Sequence, residues 1–372
     1  MKLELSKKET LVNLSNSILK RFECQTFHHS LKYIDDILNK NKNKNVCLIL
    51  LDGFGKNIID KYKEYCPFIY GHVFKTINSI YPPTTVAATT SLLTGKYPIE
   101  TGYIGWSQYF PKINSFIDIF PSTNSLTKEK IYPPITEKIL NIKNFIKIIN
   151  DNNKYKAIQL MGFNFLKENN DYDLDLLFEE ASKKIKDFDF TYLYCCEPDH
   201  YMHMNGIDFY GLKDLVKLLD IKVSNLVNNN PNTIFILVAD HGMINVKNIF
   251  IDEYPLFYNS LKFKNFFIEG RFASFFVENP ENFIKAYNLY YKDKFILLTK
   301  DEILQKHIFG YSNNYNINAI NTLGDYFLIS KGEYSFNNPL TSSSKFKPLV
   351  ANHAGGTIKE KEIYISIYNN NK

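Results

Sequence analysis

The sequence predicts an α/β fold, a mainly parallel central sheet with helices on both faces and a smaller inserted cap. Two observations carry this. Short, continuously apolar runs alternate with stretches of helical periodicity, the pattern of strands buried on both faces. Three of those runs also end on acidic residues or histidines, and open parallel sheets bind ligands at the carboxyl ends of their strands.

Taken in order, Leu11, Leu14, Ile18 and Phe22 space as an amphipathic helix. The first strand is Val46 to Leu51, ending on the turn Asp52-Gly53-Phe54-Gly55. A second strand near Val73 to Ile80 runs into Pro82-Pro83, and a helix from about Thr85 to Thr94 stops at Gly95, a suitable C-terminal cap. Further strands are expected at Lys156 to Leu160, Phe190 to Cys195 and Thr233 to Ala239, with helices Asp173 to Lys186 and Tyr210 to Asn228 between them. After His241 the chain becomes rich in Phe and Tyr, with short strands at Phe272 to Val277 and Lys294 to Leu298. The expected division is a core of residues 1–246 and 321–372 and an aromatic-rich insertion of residues 247–320 forming one wall of a cleft.

The chain has 372 residues, 45% of them hydrophobic and 15% aromatic, enough for a large buried core. Its net charge of +5 is small and its lysines are scattered, so an obligate nucleic-acid partner is not expected. Five cysteines without a CxxC pair support neither a zinc ribbon nor a disulfide framework. No apolar run approaches the roughly 18 residues of a membrane span, and the N-terminus reads as a helix, not a signal peptide. A cytoplasmic enzyme is the expectation. The sequence carries no signal for an oligomeric state.

The chemistry gathers at the strand ends. Asp52 closes the first strand, Asp240 and His241 follow Thr233 to Ala239, and Asp199 and His203 lie just past Phe190 to Cys195. His353 sits near the C-terminus in Asn352-His353-Ala354-Gly355-Gly356. Asp199 and His203 are four apart, so on a helix they share one face and can grip one ion. Three carboxylates and three imidazoles form a mixed O/N set suited to zinc, and manganese tolerates the same set. Thr85 lies at a helix start, where free backbone N–H groups favour a phosphate; the same pattern fits Thr84 or Thr85 as a simple N-cap. A bound ion would supply the activation that a threonine hydroxyl lacks at neutral pH.

Read together, Leu51-Asp52-Gly53-Phe54-Gly55, Tyr81 to Trp106, Glu197-Pro198-Asp199 with His203, Ala239-Asp240-His241-Gly242 and His353 resemble the alkaline phosphatase superfamily. The nucleotide pyrophosphatase/phosphodiesterase branch is the nearest likeness. The resemblance implies two divalent ions, one held by Asp52, Thr85, Asp240 and His241, the other by Asp199, His203 and His353. It implies hydrolysis of a small-molecule phosphodiester or nucleotide through a covalent phospho-threonine on Thr85. Many members carry an Asn three residues after the nucleophile, and here that position is Ala88. No sulfatase-type Cys or Ser followed by Pro and Arg is present, and the nucleophile segment has no Arg to clamp a monoester. A phosphomonoesterase or a phosphopentomutase-like mutase stays open, as does a metal-binding module without turnover. For the organic part of a substrate, Trp106 or Tyr103 is a candidate stacking residue, with a packed core aromatic as the competing reading. Arg271, one of only two arginines, is a candidate phosphate clasp and equally a candidate structural partner of a carboxylate.

Overall fold

A computed structural model describes residues 9–169, 171–337 and 347–369. The six strands of the central sheet are β1 (Asn45–Leu51), β2 (Val73–Asn78), β3 (Ala157–Met161), β4 (Phe190–Cys195), β5 (Thr233–Val238) and β6 (Glu362–Asn369). They lie in the order β2-β6-β5-β1-β4-β3. β3, β4, β1 and β5 are mutually parallel. β6 is antiparallel to both neighbours, so the sheet is mixed.

Every residue of β4 and β5, and all of β1 after Asn45, is buried. Both faces of this sheet are therefore covered, which is why these strands read as unbroken apolar runs with no alternation. Helix Leu11–Arg21 packs on Thr85–Thr94, which touches Phe145–Asp151; Leu212–Asn228 packs separately on Pro67–Gly71 and Leu174–Lys184. No helix among the described residues is long and apolar enough to cross a membrane.

A second sheet has seven antiparallel strands, Phe295–Thr299, Tyr326–Ser330, Phe272–Phe275, Phe267–Ile268, Ser107–Phe110, Ser115–Asp118 and Thr123–Asn124, in that spatial order. Residues 247–320 thus supply only part of it. The segment 107–124 joins it from before the insertion and Tyr326–Ser330 from after. The aromatic content of this region is core: Phe257, Phe275, Phe283, Tyr291, Phe295 and Phe336 form one buried cluster, with Phe295 and Phe336 stacked at 4.3 Å.

Register aligns the chemistry. Leu51 pairs with Cys195 and Leu50 with Val238, so the carboxyl ends of β4, β1 and β5 lie side by side. Asp52, Asp199 and Asp240 leave the sheet at one place. His353 is brought there by the short ladder in which Asn352 pairs with Ile244.

Candidate active site

The loops at these strand ends are tied to one another before any ligand is considered. The Asp199 amide donates to the Asp52 carbonyl at 3.1 Å. The amides of Gly53 and His241 both donate to Asp240 Oδ1, at 3.0 and 2.9 Å. Gly53 is required: it holds φ 69°, and a Cβ there would sit 2.9 Å from Asp199 Oδ1.

Each metal-type residue presents one atom inward. Tyr194 donates its hydroxyl to Asp52 Oδ2, leaving Oδ1 at 3.4 Å from both Thr85 Oγ1 and His241 Nε2. His241 Nε2 is also 3.1 Å from Thr85 Oγ1 and 3.4 Å from Asp240 Oδ2. His203 bonds the Ala351 carbonyl through Nδ1 at 2.9 Å, turning Nε2 toward Asp199 Oδ2 at 3.2 Å. Such carbonyl contacts fix the ring orientation of a ligating histidine. His353 Nε2 lies 3.9 Å from Asp199 Oδ1, and its ring stacks on His241 at 3.8 Å.

Two groups of ligand atoms close to within 4.8 Å: Asp52, Asp240 and His241, and Asp199, His241 and His353. His241 belongs to both, and His203 joins the second through the carboxylate of Asp199. Asp199 Oδ1 and Asp240 Oδ2 are buried without any hydrogen-bond partner. Buried charges of one sign with unsatisfied oxygens call for a cation, and this donor set fits divalent ions.

The electrostatics agree. Burial, then the neighbouring Asp240 and Asp199, pushes Asp52 well above the usual carboxylate range. Burial also raises Asp240, against the opposing influence of His241. Burial opposes the charge on Asp199, but His203 outweighs it and holds that carboxyl well below the usual range. His203 is lifted to about 9, because Asp199 and the Ala351 carbonyl overcome its burial. Burial, then His241, pushes His353 well below the usual imidazole range.

Thr85 starts the helix Thr85–Thr94, whose C-cap Gly95 is left-handed at φ 68°. Thr89 bonds backward to the Thr85 carbonyl at 2.6 Å, so its hydroxyl is spent within the helix. Ala88 is fully buried and offers no side-chain donor.

The site opens into a cleft of about 570 Å³ whose outer wall includes Trp106, Phe120, Met161, Phe163, Tyr172 and Leu349. Trp106 is 42% exposed and sits edge-on to Phe120. Two expectations need correction. Tyr103 is buried, with its hydroxyl donated to the Leu140 carbonyl at 2.9 Å, and it does not line the cleft. Arg271 is fully buried and bidentate to Glu360 at 2.7 and 2.8 Å, with further bonds to the Tyr334 and Gly332 carbonyls. Of the two roles open to an isolated Arg in a lysine-rich chain, the core pair with a carboxylate is the one formed, not the phosphate clasp.

Sequence reasoning missed Tyr194 and Glu269. Glu269 lines the cleft and accepts from Thr84 Oγ1 at 2.5 Å and the Trp106 amide at 3.1 Å. Burial pushes its carboxyl up to about 7, against the opposing pull of these two donors. The signal was a carboxylate set within the run Phe266 to Phe276, where nothing apolar explains it.

The model of the type I phosphodiesterase/nucleotide pyrophosphatase family matches residues 46–287, more than half of the chain. The chain belongs to this family. That places it in the nucleotide pyrophosphatase/phosphodiesterase branch of the alkaline phosphatase superfamily. Among solved structures, human ectonucleotide pyrophosphatase/phosphodiesterase 5 is similar at a TM-score of 0.65 and 15% identity, over 88% of each chain. Murine ectonucleotide pyrophosphatase/phosphodiesterase 5 is similar at 0.61 and 16% identity, again over 88% of each chain. An inactive form of the murine protein in complex with AMP is similar at 0.61, with 15% identity and the same coverage. At these identities the likeness speaks for the α/β fold. No curated protein sequence matches the chain.

Proposed function

We propose that this phosphodiesterase-family protein is a two-metal hydrolase that cleaves a phosphodiester or pyrophosphate bond with Thr85 as nucleophile. One observation carries the reading: Thr85 Oγ1 stands 3.1 Å from His241 Nε2 and 3.4 Å from Asp52 Oδ1, at the mouth of a helix and beside both ligand groups. Asp52, Asp240 and His241, with Thr85 itself, would hold one ion; Asp199, His203 and His353, with His241 at their border, would hold the other. Bound there, divalent ions (zinc first, manganese second) would supply Lewis acidity, favouring the Thr85 alkoxide and neutralising phosphate oxygens.

The protein's own groups do the rest. The Thr85 oxygen bonds to phosphorus as the ester oxygen on the far side leaves, and water entering from that side hydrolyses the phospho-threonine. Tyr194 and the Gly53 and His241 amides hold the carboxylates so that Thr85 need not reorganise them. Trp106 and Phe120 offer the organic part of a small-molecule phosphodiester or nucleotide an apolar surface. A reducing, cytoplasmic setting belongs to the same reading and is supported by five cysteines that are all unpaired.

The test is turnover of bis-p-nitrophenyl phosphate against p-nitrophenyl phosphate by zinc-loaded protein, beside Thr85→Ala. Diester hydrolysis should dominate and fall at least about 10³-fold in the variant, with its metal content and melting temperature retained. Wild-type rates in a folded, metal-loaded Thr85→Ala protein would end the nucleophile assignment. A dominant monoester rate would move the chain to phosphatase or mutase chemistry.

A further inference from the structure

Glu269 sits on a turn that is held with unusual care. It joins strand Phe267–Ile268 to Phe272–Phe275, and Glu269 and Phe272 exchange backbone hydrogen bonds at 3.3 and 3.2 Å. Behind the turn, the buried Arg271 is locked to Glu360 and to two carbonyls. Just before it, Ile268 holds φ 76°, a region that β-branched residues avoid. Gly105 lies against that strained residue: a Cβ there would come within 2.6 Å of Ile268 Cγ2. Backbone strain persists only where the surroundings over-determine it, and it gathers at functional sites. Its effect here is to set the Glu269 carboxylate into the cleft, on the Thr84 hydroxyl and the Trp106 amide.

Thr84 is the N-cap residue of the ten-residue helix that Thr85 begins, with φ −138° and ψ 147°. Its carbonyl accepts from the Ala88 amide at 2.8 Å, as a cap should. A threonine there ordinarily turns its hydroxyl onto the amide of the second or third helical residue. Thr84 makes no such bond: its side chain is turned to Glu269, to which the hydroxyl donates. The first-turn amides, beside the Thr85 hydroxyl and the unsatisfied carboxylate oxygens of Asp199 and Asp240, are left without a side-chain acceptor.

We propose that Glu269 is a positioning residue: it draws the Thr84 hydroxyl away from the helix end and so keeps the amides of Thr85 and Val86 open to a phosphate oxygen. This deepens the reading of the active site given above and rests on it. It also explains how the chain manages with Ala88, since backbone donors at the helix end take over where no side-chain donor exists.

The experiment measures binding of inorganic phosphate to the zinc-loaded full chain by calorimetry, with kcat and KM on bis-p-nitrophenyl phosphate alongside. In Glu269→Ala the freed Thr84 hydroxyl caps the helix and competes with phosphate, so affinity should fall about fivefold or more, the factor that one capping bond is worth. Adding Thr84→Val removes the competing hydroxyl, so the double variant should recover most of the lost affinity. Glu269→Gln keeps an oxygen that accepts both donors and should stay within about threefold of wild type. Should Glu269→Ala fail to fold, this conservative variant still decides: a fivefold loss in folded Glu269→Gln would overturn the proposal. Wild-type affinity in Glu269→Ala would overturn it as well, as would a double variant no better than Glu269→Ala. No phosphate binding by metal-loaded wild type would remove the active-site reading itself, and this inference with it.

Discussion

Arg271 and Glu360 are both fully buried and face each other through two hydrogen bonds. Removing one partner strands the other charge in the core, which typically costs about 3–5 kcal/mol. Arg271→Ala should therefore lower the unfolding free energy measured in urea by an amount in that range, moving the midpoint down with the slope unchanged. Glu100 offers a pH-dependent counterpart. Its carboxylate accepts from the Tyr97 amide and the Ser312 hydroxyl and contacts His28 at 2.7 Å, joining three distant segments. Burial would raise this carboxyl, but His28 and the Tyr97 amide prevail and hold it below its ordinary value of 4.5. A carboxyl depressed by folding contributes stability above its unfolded value, and that contribution is lost as pH falls through the lower, folded one. Unfolding free energies measured from about pH 6 down to pH 3 should decline, and Glu100→Gln should flatten that part of the curve. An unchanged slope in the variant would show that Glu100 is not the group responsible.

At the scale of elements, the second sheet meets the nucleophile helix in a buried cluster of Val86, Phe110 and Ile117 and, nearer the site, along a contact line where Glu269 bonds Thr84 and Trp106 and Gly105 packs against Ile268. A methyl group at Gly105 meets the Ile268 backbone at 3.1 Å as well as its side chain, so the strained turn must give way. Overpacking of this kind costs about 1–3 kcal/mol. Gly105→Ala should show that loss in chemical denaturation and should also weaken phosphate binding, because the turn that gives way carries Glu269. A variant destabilised by that amount with wild-type phosphate affinity would uncouple the contact line from the site.

For the whole molecule, the decisive quantity is charge. Asp52, Asp199 and Asp240 are brought together with little solvent to screen them, at 2%, 8% and 0% exposure. Without a cation their repulsion opposes the fold, and an ion that binds only the folded chain stabilises it by mass action. EDTA should lower the melting temperature, and zinc returned at about 100 times its dissociation constant should restore about 2.7 kcal/mol for each site filled. Asp240→Asn should shrink that zinc-dependent shift, since it removes a ligand and part of the repulsion together. A melting temperature indifferent to chelation in metal-free buffer would argue against the two-ion reading.

The core strands and the Thr85 helix were legible because their signals are local. Three buried strands, β1, β4 and β5, appear as apolar runs, and a glycine closes the helix at Gly95. Asp52, Asp199, Asp240 and His241 were legible for a related reason: a residue just past a buried strand is delivered to the sheet's edge whatever surrounds it. Strand β6 was not, because only its ladders with β2 and β5 make Glu362–Asn369 a central strand of reversed direction. Nor was the second sheet, whose strands pair across the boundaries that composition suggested. Arg271, Tyr103 and Glu269 are the instructive set. Residue type states what a side chain is able to do, a guanidinium clasping an anion or a carboxylate accepting a proton donor. Which of two faces of a turn it occupies depends on long-range packing, and here that packing sent the arginine inward to Glu360 and left the glutamate in the cleft.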